Sequence, residues 1–258
     1  MNALEVHIAR KAYRPKGRTA EVEALRGLHF TVPERQCLCL VGPSGCGKTT
    51  LLNILSGLDR EIDGEVRIAG GAPGGAPVVG YMFQTPRLMP WLTVRDNVRL
   101  ALPQASPEPG PAETLLAEME LGGFLDAYPR QLSGGMQRRV ALARCFVNEP
   151  RLLLLDEPFL SLDAPTAQNL RRLLLEQWQR HPTTVLFVTH DLREALFIAD
   201  RILFLSRRPG SVLLDWAVDL PRPRDADGGD IENLRRRLMA EHPELLAGLN
   251  GGGEGGGK

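Results

Sequence analysis

Gly42-Pro43-Ser44-Gly45-Cys46-Gly47-Lys48-Thr49-Thr50 is the stretch whose reading decides the fold. From Gly42 to Thr49 it fits the phosphate-loop pattern: a glycine, four variable residues, then Gly-Lys-Thr. So short a pattern can arise by chance, and its flanks give it meaning. Upstream, Cys37-Leu38-Cys39-Leu40-Val41 is a brief apolar run suited to a strand buried on both faces. Downstream, Leu51, Leu52, Ile54, Leu55 and Leu58, with Gly57 near the end, predict a helix. Strand, glycine loop and helix together are the context the chemistry needs. The glycines let successive backbone N–H groups turn toward an anion. The helix start adds its own N–H groups and the positive end of its dipole. Lys48 is expected to reach the β and γ phosphates of a nucleotide, and the Thr49 hydroxyl to ligate Mg²⁺. A glycine-rich turn with a surface lysine is the alternative, and it leaves both flanks unexplained.

Composition narrows the function classes. The 258 residues are 43% hydrophobic, enough for a substantial core. Lys plus Arg and Asp plus Glu are 31 each. A net charge of zero gives no electrostatic footprint for nucleic acid. The arginine pairs Arg138-Arg139, Arg171-Arg172 and Arg207-Arg208 read as solvated faces. Cys37, Cys39, Cys46 and Cys145 form no C-x-x-C pair, so neither a zinc site nor a disulfide framework is expected, and a reduced cytosolic setting fits. No signal peptide opens the sequence, and no apolar run approaches the length of a membrane span.

Outward from the loop, alternation at Leu4, Val6 and Ile8 predicts a strand. Ala24-Leu25, Leu28, Phe30 and Val32 predict an antiparallel partner ending at Pro33. Residues 70–77 read as a flexible loop, and 101–111, with four prolines, as a linker. Val78–Phe83, Leu152–Leu155 and Thr184–Thr189 read as buried strands, and 112–121, 135–148 and 164–180 as helices. Ile202–Leu205 and Val212–Leu220 read as a hairpin around Arg207-Arg208-Pro209-Gly210. A linker at Asp225–Asp230, a helical tail over 231–249 and a disordered glycine-rich tail at 251–258 complete the chain.

Four apolar strands thus end in polar residues: Val41 before the loop, Phe83 before Gln84, Leu155 before Asp156-Glu157, and Thr189 before His190. Ligands of open α/β sheets sit at the carboxyl ends of the strands. A phosphate cradle, an amide, two carboxylates and an imidazole at such ends suit nucleotide hydrolysis. Asp156 is expected to hold Mg²⁺ and Glu157 to take a proton from, or orient, the attacking water. Gln84 reads either as a Mg²⁺ or water ligand or as a turn glutamine. His190 reads either as a γ-phosphate contact or as an ordinary surface histidine. Ser133 is placed to cap a helix, and Gly134 and Gly135 expose N–H groups, which reads either as a second anion site or as an ordinary helix N-cap.

Taken together these residues resemble the ATP-binding cassette (ABC) ATPases, from Tyr13 to Arg224. Gly42–Thr50 resembles the Walker A loop, Leu152–Glu157 the Walker B strand with its catalytic glutamate, and Gln84 the Q-loop. Leu132–Gln137 resembles the signature, Ser161-Leu162-Asp163 the D-loop, and His190 the switch histidine. The resemblance implies an α/β P-loop NTPase fold: an ABC ATPase core over 1–224, with an antiparallel β subdomain and a helical subdomain inserted at about 85–148. A short C-terminal helical extension at 225–250 would follow. It implies ATP and Mg²⁺ as ligands and Tyr13 stacking on adenine, although by position alone Tyr13 reads equally as a hairpin residue. It also implies a head-to-tail dimer, of two copies or of one copy and a relative. There Ser133, Gly134, Gly135 and Asp163 serve the nucleotide on the other chain's Lys48. Met89-Pro90-Trp91-Leu92-Thr93-Val94 and Leu205–Gly210 are similar to importer cassettes for nitrate, sulfonate and taurine-like anions. Such a subunit lies peripherally on the cytoplasmic face of the inner membrane. It works with transmembrane permease subunits and, indirectly, an extracytoplasmic binding protein. Trp91 is then a candidate permease anchor, or else packs inside its own domain. An exporter ATPase and a soluble cassette not coupled to transport are the competing readings.

Overall fold

A computed structural model describes residues 1–14, 20–69, 78–102, 110–226, 228–243 and 245. The stretches 70–77, 103–109 and 251–258, read above as loop, linker and tail, lie outside them. In chain order come β1 (Asn2–Tyr13), β2 (Val22–Pro33), β3 (Cys37–Val41), α1 (Lys48–Leu55), β4 (Asp63–Ile68), β5 (Val79–Met82), α2 (Val94–Arg99), α3 (Pro111–Glu118) and α4 (Gly134–Phe146). They are followed by β6 (Leu152–Asp156), α5 (Ala164–Arg180), β7 (Thr184–Thr189), α6 (Leu192–Ile198), β8 (Arg201–Leu205), β9 (Val212–Ala217) and α7 (Gly229–Glu241). The chain forms two compact units, Met1–Ala69 with Val185–Lys258, and Gly70–Thr184.

In the first unit, the alternation of β1 buries Leu4, Val6 and Ile8, and the strand pairs antiparallel with β2, as expected. β4 completes the order β2-β1-β4. It escaped the sequence reading because Asp63, Glu65 and Arg67 are exposed and only Val66 and Ile68 are half-buried. β3 lies between β7 and β8, parallel to both, and β9 runs antiparallel along β8. All five residues of β3 and all six of β7 are buried, which is why they read as continuous apolar runs. The hairpin strand β9 stops at Ala217, short of the expected Leu220. α7 begins at Gly229, inside the expected linker, and buries Ile231, Leu234 and Leu238. It packs on α6, which lies against β3.

In the second unit β5 and β6 pair in parallel. The three expected helices appear as α3, α4 and α5. α5 buries Ala167, Leu170, Leu173, Leu174 and Gln177 at helical spacing. α2 was not expected: it has six residues and is capped by Thr93, whose hydroxyl accepts from the Asp96 N–H at 3.2 Å. Fully buried Asn97 organises the turn before it. Its Oδ1 accepts from the Met89 N–H at 2.7 Å, and its Nδ2 donates to the carbonyls of Met89, Leu92 and Thr93. Asn97→Leu strands these main-chain groups, so a loss of roughly 3 kcal/mol is expected. A chemical-denaturation midpoint equal to that of the wild type would contradict it.

Among the described residues no helix is long and apolar enough to cross a membrane.

Candidate functional site

In the first unit Val41 of β3 pairs in register with Thr189 of β7, so Gly42 and His190 leave the sheet side by side. The loop then closes tightly. Cys46 N–H donates to the Pro43 carbonyl at 3.2 Å, and Leu51 N–H to Gly47 at 2.9 Å. Gly47 has φ 109°, and a Cβ there would lie 2.5 Å from Leu25 Cδ2 and 2.9 Å from the Ala24 carbonyl oxygen. Backbone conformation and space both demand glycine. No side chain caps α1, and no acidic residue stands in its first turn. Its N-terminal amides are therefore suited to an anion. Lys48 is 6% exposed, and its Nζ donates to the carbonyls of Gly42 at 2.6 Å and Pro43 at 3.1 Å. Ser44, Gly45 and Thr49 are exposed and Thr50 is half-buried, so the Thr49 hydroxyl is accessible to a cation. Amide donors, a buried ammonium and an exposed hydroxyl on one loop fit a Mg²⁺-bound polyphosphate.

The loop is braced from outside by the β8–β9 turn. Arg208 Nε donates to the Gly45 carbonyl at 3.0 Å across 163 residues of sequence. Gly210 packs on the Cys46 carbonyl with no room for a side chain and exchanges backbone hydrogen bonds with Ala24 and Arg26. Read from sequence as a hairpin turn with an importer-like motif, this segment gave no sign of its contact with the loop.

Tyr13, at the end of β1, is exposed, and its hydroxyl donates to Asp59 Oδ2 at 2.7 Å. Buried Lys11 places Nζ 4.5 Å from the ring centroid and donates to Asp59 Oδ1 at 2.7 Å and the Glu61 carbonyl at 2.6 Å. Burial pushes the Asp59 carboxyl up, but the hydrogen bonds from Lys11 and Tyr13 outweigh it and hold the group below its ordinary range. A ring fixed in this way suits stacking on a base. His190 is exposed on a short turn. Thr189 Oγ1 steadies that turn by donating to Glu194 at 2.7 Å and accepting from the Asp191 N–H at 3.0 Å.

In the second unit Met82 of β5 pairs with Leu155 of β6, so Gln84 and the Asp156-Glu157 pair follow the same strand ends. Asp156 is buried. Glu157 is half-buried, with its backbone at φ 45°. Gln84 is exposed. Phe83 beside it stacks on Tyr81 with ring centroids 4.0 Å apart, and the Arg87 guanidinium lies 4.0 Å from the Phe83 centroid. Burial, and then the Asp156 charge, push the Tyr81 hydroxyl well above its ordinary pKa. Arg144 of α4 donates to the carbonyls of Pro86 at 2.8 Å and Arg87 at 3.0 Å.

Ser133 is the N-cap of α4, as expected: its hydroxyl accepts from the Met136 N–H at 3.2 Å. Gly134 is open, whereas a Cβ on Gly135 would overlap the Thr166 methyl group. Asp163 caps α5, accepting from the Thr166 N–H at 3.0 Å and hydroxyl at 2.8 Å, and the backbone bond chiefly holds its pKa low. The expectation that Arg138 lies on a solvated face is corrected: it is buried and donates to the carbonyls of Pro158 at 2.8 Å and Leu160 at 2.6 Å. Two adjacent arginines read alike in sequence, but only the fold shows which one turns inward.

Known proteins match this arrangement. The profile of the ABC transporter family matches residues 25–160. The aliphatic sulfonates import ATP-binding protein SsuB 2 of Burkholderia lata is 43% identical over 244 residues, covering 94% of this chain and 87% of that protein. SsuB of Bacillus subtilis is 40% identical over 243 residues, covering 93% and 94%. Among solved structures, the ATP-binding cassette MJ0796, as a dimer in a post-hydrolysis state bound to ADP and Pi, superposes with a TM-score of 0.72 at 30% identity. That match covers 84% of this chain and all of the other.

Proposed function

The chain belongs to the ABC transporter family, as one of its ATP-hydrolysing cassettes with the α/β P-loop NTPase fold, and from that premise we propose that it powers import of a small organic anion of the sulfonate class. The names of its relatives support import and sulfonate. The observation that carries the site is the loop itself: a glycine-enforced turn, an uncapped helix start and a buried Lys48 ammonium on one short segment.

In this reading Lys48 and the amides of Gly42–Thr50 hold the phosphates. Thr49, Asp156 and Gln84 would hold Mg²⁺, which would supply neutralisation of phosphate charge. Tyr13 stacks on the base, Glu157 accepts the proton of the attacking water, and His190 contacts the γ-phosphate. Ser133, Gly134, Gly135 and Asp163 serve the nucleotide of a second cassette in a head-to-tail dimer. The helical subdomain at about 85–148 carries the face toward a transmembrane permease, placing the subunit peripherally on the cytoplasmic side of the inner membrane. A binding protein outside supplies the cargo. Reconstitution with the permease tests this reading through Mg-ATP hydrolysis coupled to uptake of a labelled alkanesulfonate. Absence of Mg-ATPase with or without the permease sinks it.

Trp91 is 71% exposed, which favours the permease-anchor reading over internal packing. A buried aromatic anchor carries upward of about 2 kcal/mol at an interface. Trp91→Ala is therefore expected to weaken co-purification of the membrane partner at least tenfold with the fold intact by circular dichroism. Undiminished recovery of the partner would rule out the anchor.

A further inference from the structure

Arg138 stands one turn and a half into α4, and its guanidinium forks onto two carbonyls, Pro158 and Leu160, that flank Phe159 just beyond Glu157. That segment holds two non-glycine residues in the left-handed region, Glu157 at φ 45° and Ser161 at φ 61°. Such conformations persist only where the surroundings over-determine them. Burying a guanidinium among main-chain oxygens is costly, and an apolar side chain would fill the space more cheaply. A planar fork, however, holds two carbonyls at once from separate nitrogens in one rigid geometry, which an apolar chain cannot do and the single flexible ammonium of a lysine does not reproduce. The first turn of the same helix is seated at a second point. Gly135 lies flush against Thr166, whose N–H and hydroxyl bond Asp163. The Ser133–Gly135 end of α4 and the 157–166 segment are thus pinned together twice within one unit.

We propose that Arg138 is a positioning residue for hydrolysis: through Pro158 and Leu160 it locks the Glu157 turn to the Ser133–Gly135 end of α4. Engagement of that end with a nucleotide on a second chain then sets the attitude of Glu157 in its own chain. The inference rests on the nucleotide-site reading above and adds a device that links one site to the other.

The test compares wild type with Arg138→Met and Arg138→Lys. It measures Mg-ATPase kcat, KM and Hill coefficient, affinity for a fluorescent ATP analogue, melting temperature, and hydrogen–deuterium exchange across Glu157–Asp163. Both variants are expected to lose about 10- to 100-fold in kcat. Nucleotide affinity should be unchanged, the Hill coefficient should fall toward one, and exchange across Glu157–Asp163 should be faster. If Arg138→Met does not fold, Arg138→Lys decides, since it keeps the charge and most of the bulk. Wild-type kcat and cooperativity in a folded variant overturn the inference. So does a loss of kcat that tracks nucleotide affinity and melting temperature together, the mark of a merely structural role. A wild-type chain that hydrolyses no ATP overturns the parent reading instead, and this one with it.

Discussion

Glu157→Gln is expected to stop turnover while leaving Mg-ATP bound, and to trap the chain as a nucleotide-held dimer. Glutamine matches glutamate in shape and can still accept a hydrogen bond. It cannot take a proton from water, a contribution of about 10²–10⁴-fold in rate. The half-buried setting and left-handed backbone of Glu157 should be preserved, because the Arg138 bonds that brace its turn go to the carbonyls of Pro158 and Leu160. Asp156, the candidate metal ligand, is unaltered. Light scattering at saturating ATP should report a dimer for the variant and a mixture for wild type. A variant that turns over at the wild-type rate, or that stays monomeric in ATP, removes Glu157 from the role.

Lys48→Ala is expected to weaken nucleotide binding by about 10- to 100-fold, the equivalent of losing charged hydrogen bonds worth about 1.5–3 kcal/mol. Lys48 Nζ rests on the Gly42 and Pro43 carbonyls, so the substitution also removes the ammonium that ties the loop to itself. Titration calorimetry with a non-hydrolysable analogue measures the loss. The contrast with Ser133→Ala is sharper still. In a mixed dimer carrying Lys48→Ala on one chain and Ser133→Ala on the other, a shared site predicts that both changes fall on the same nucleotide. One intact site then remains. Two damaged sites would mean that Ser133 serves its own chain.

The parts of this arrangement legible in sequence are those where the local signal and the tertiary demand coincide. β3, β6 and β7 are buried throughout, so apolar runs marked them. The glycines of the loop and the Ser133 cap encode backbone geometry directly in residue type. β4 was missed because its charged side chains are exposed and none of its residues is fully buried, and α6 because its seven residues are too few to show a helical period. Arg138, Arg144 and Arg208 were missed for another reason. Each acts on main-chain carbonyls 20 to 163 residues away, and a carbonyl carries no residue type to read. Trp91 admitted two readings in sequence because an aromatic next to a proline suits a core as well as a surface. Only its accessibility separates them.

The bond from Arg208 to Gly45 has a consequence in time as well as space. The chain is made from its N-terminus, so the phosphate loop leaves the ribosome 163 residues ahead of the side chain that braces it. At roughly 5–20 residues per second that is a delay of roughly 8–30 s. A nascent chain that already displays Lys48 therefore still lacks the brace at Gly45. The loop gains this brace late, when the β8–β9 turn closes over Gly45 and Cys46.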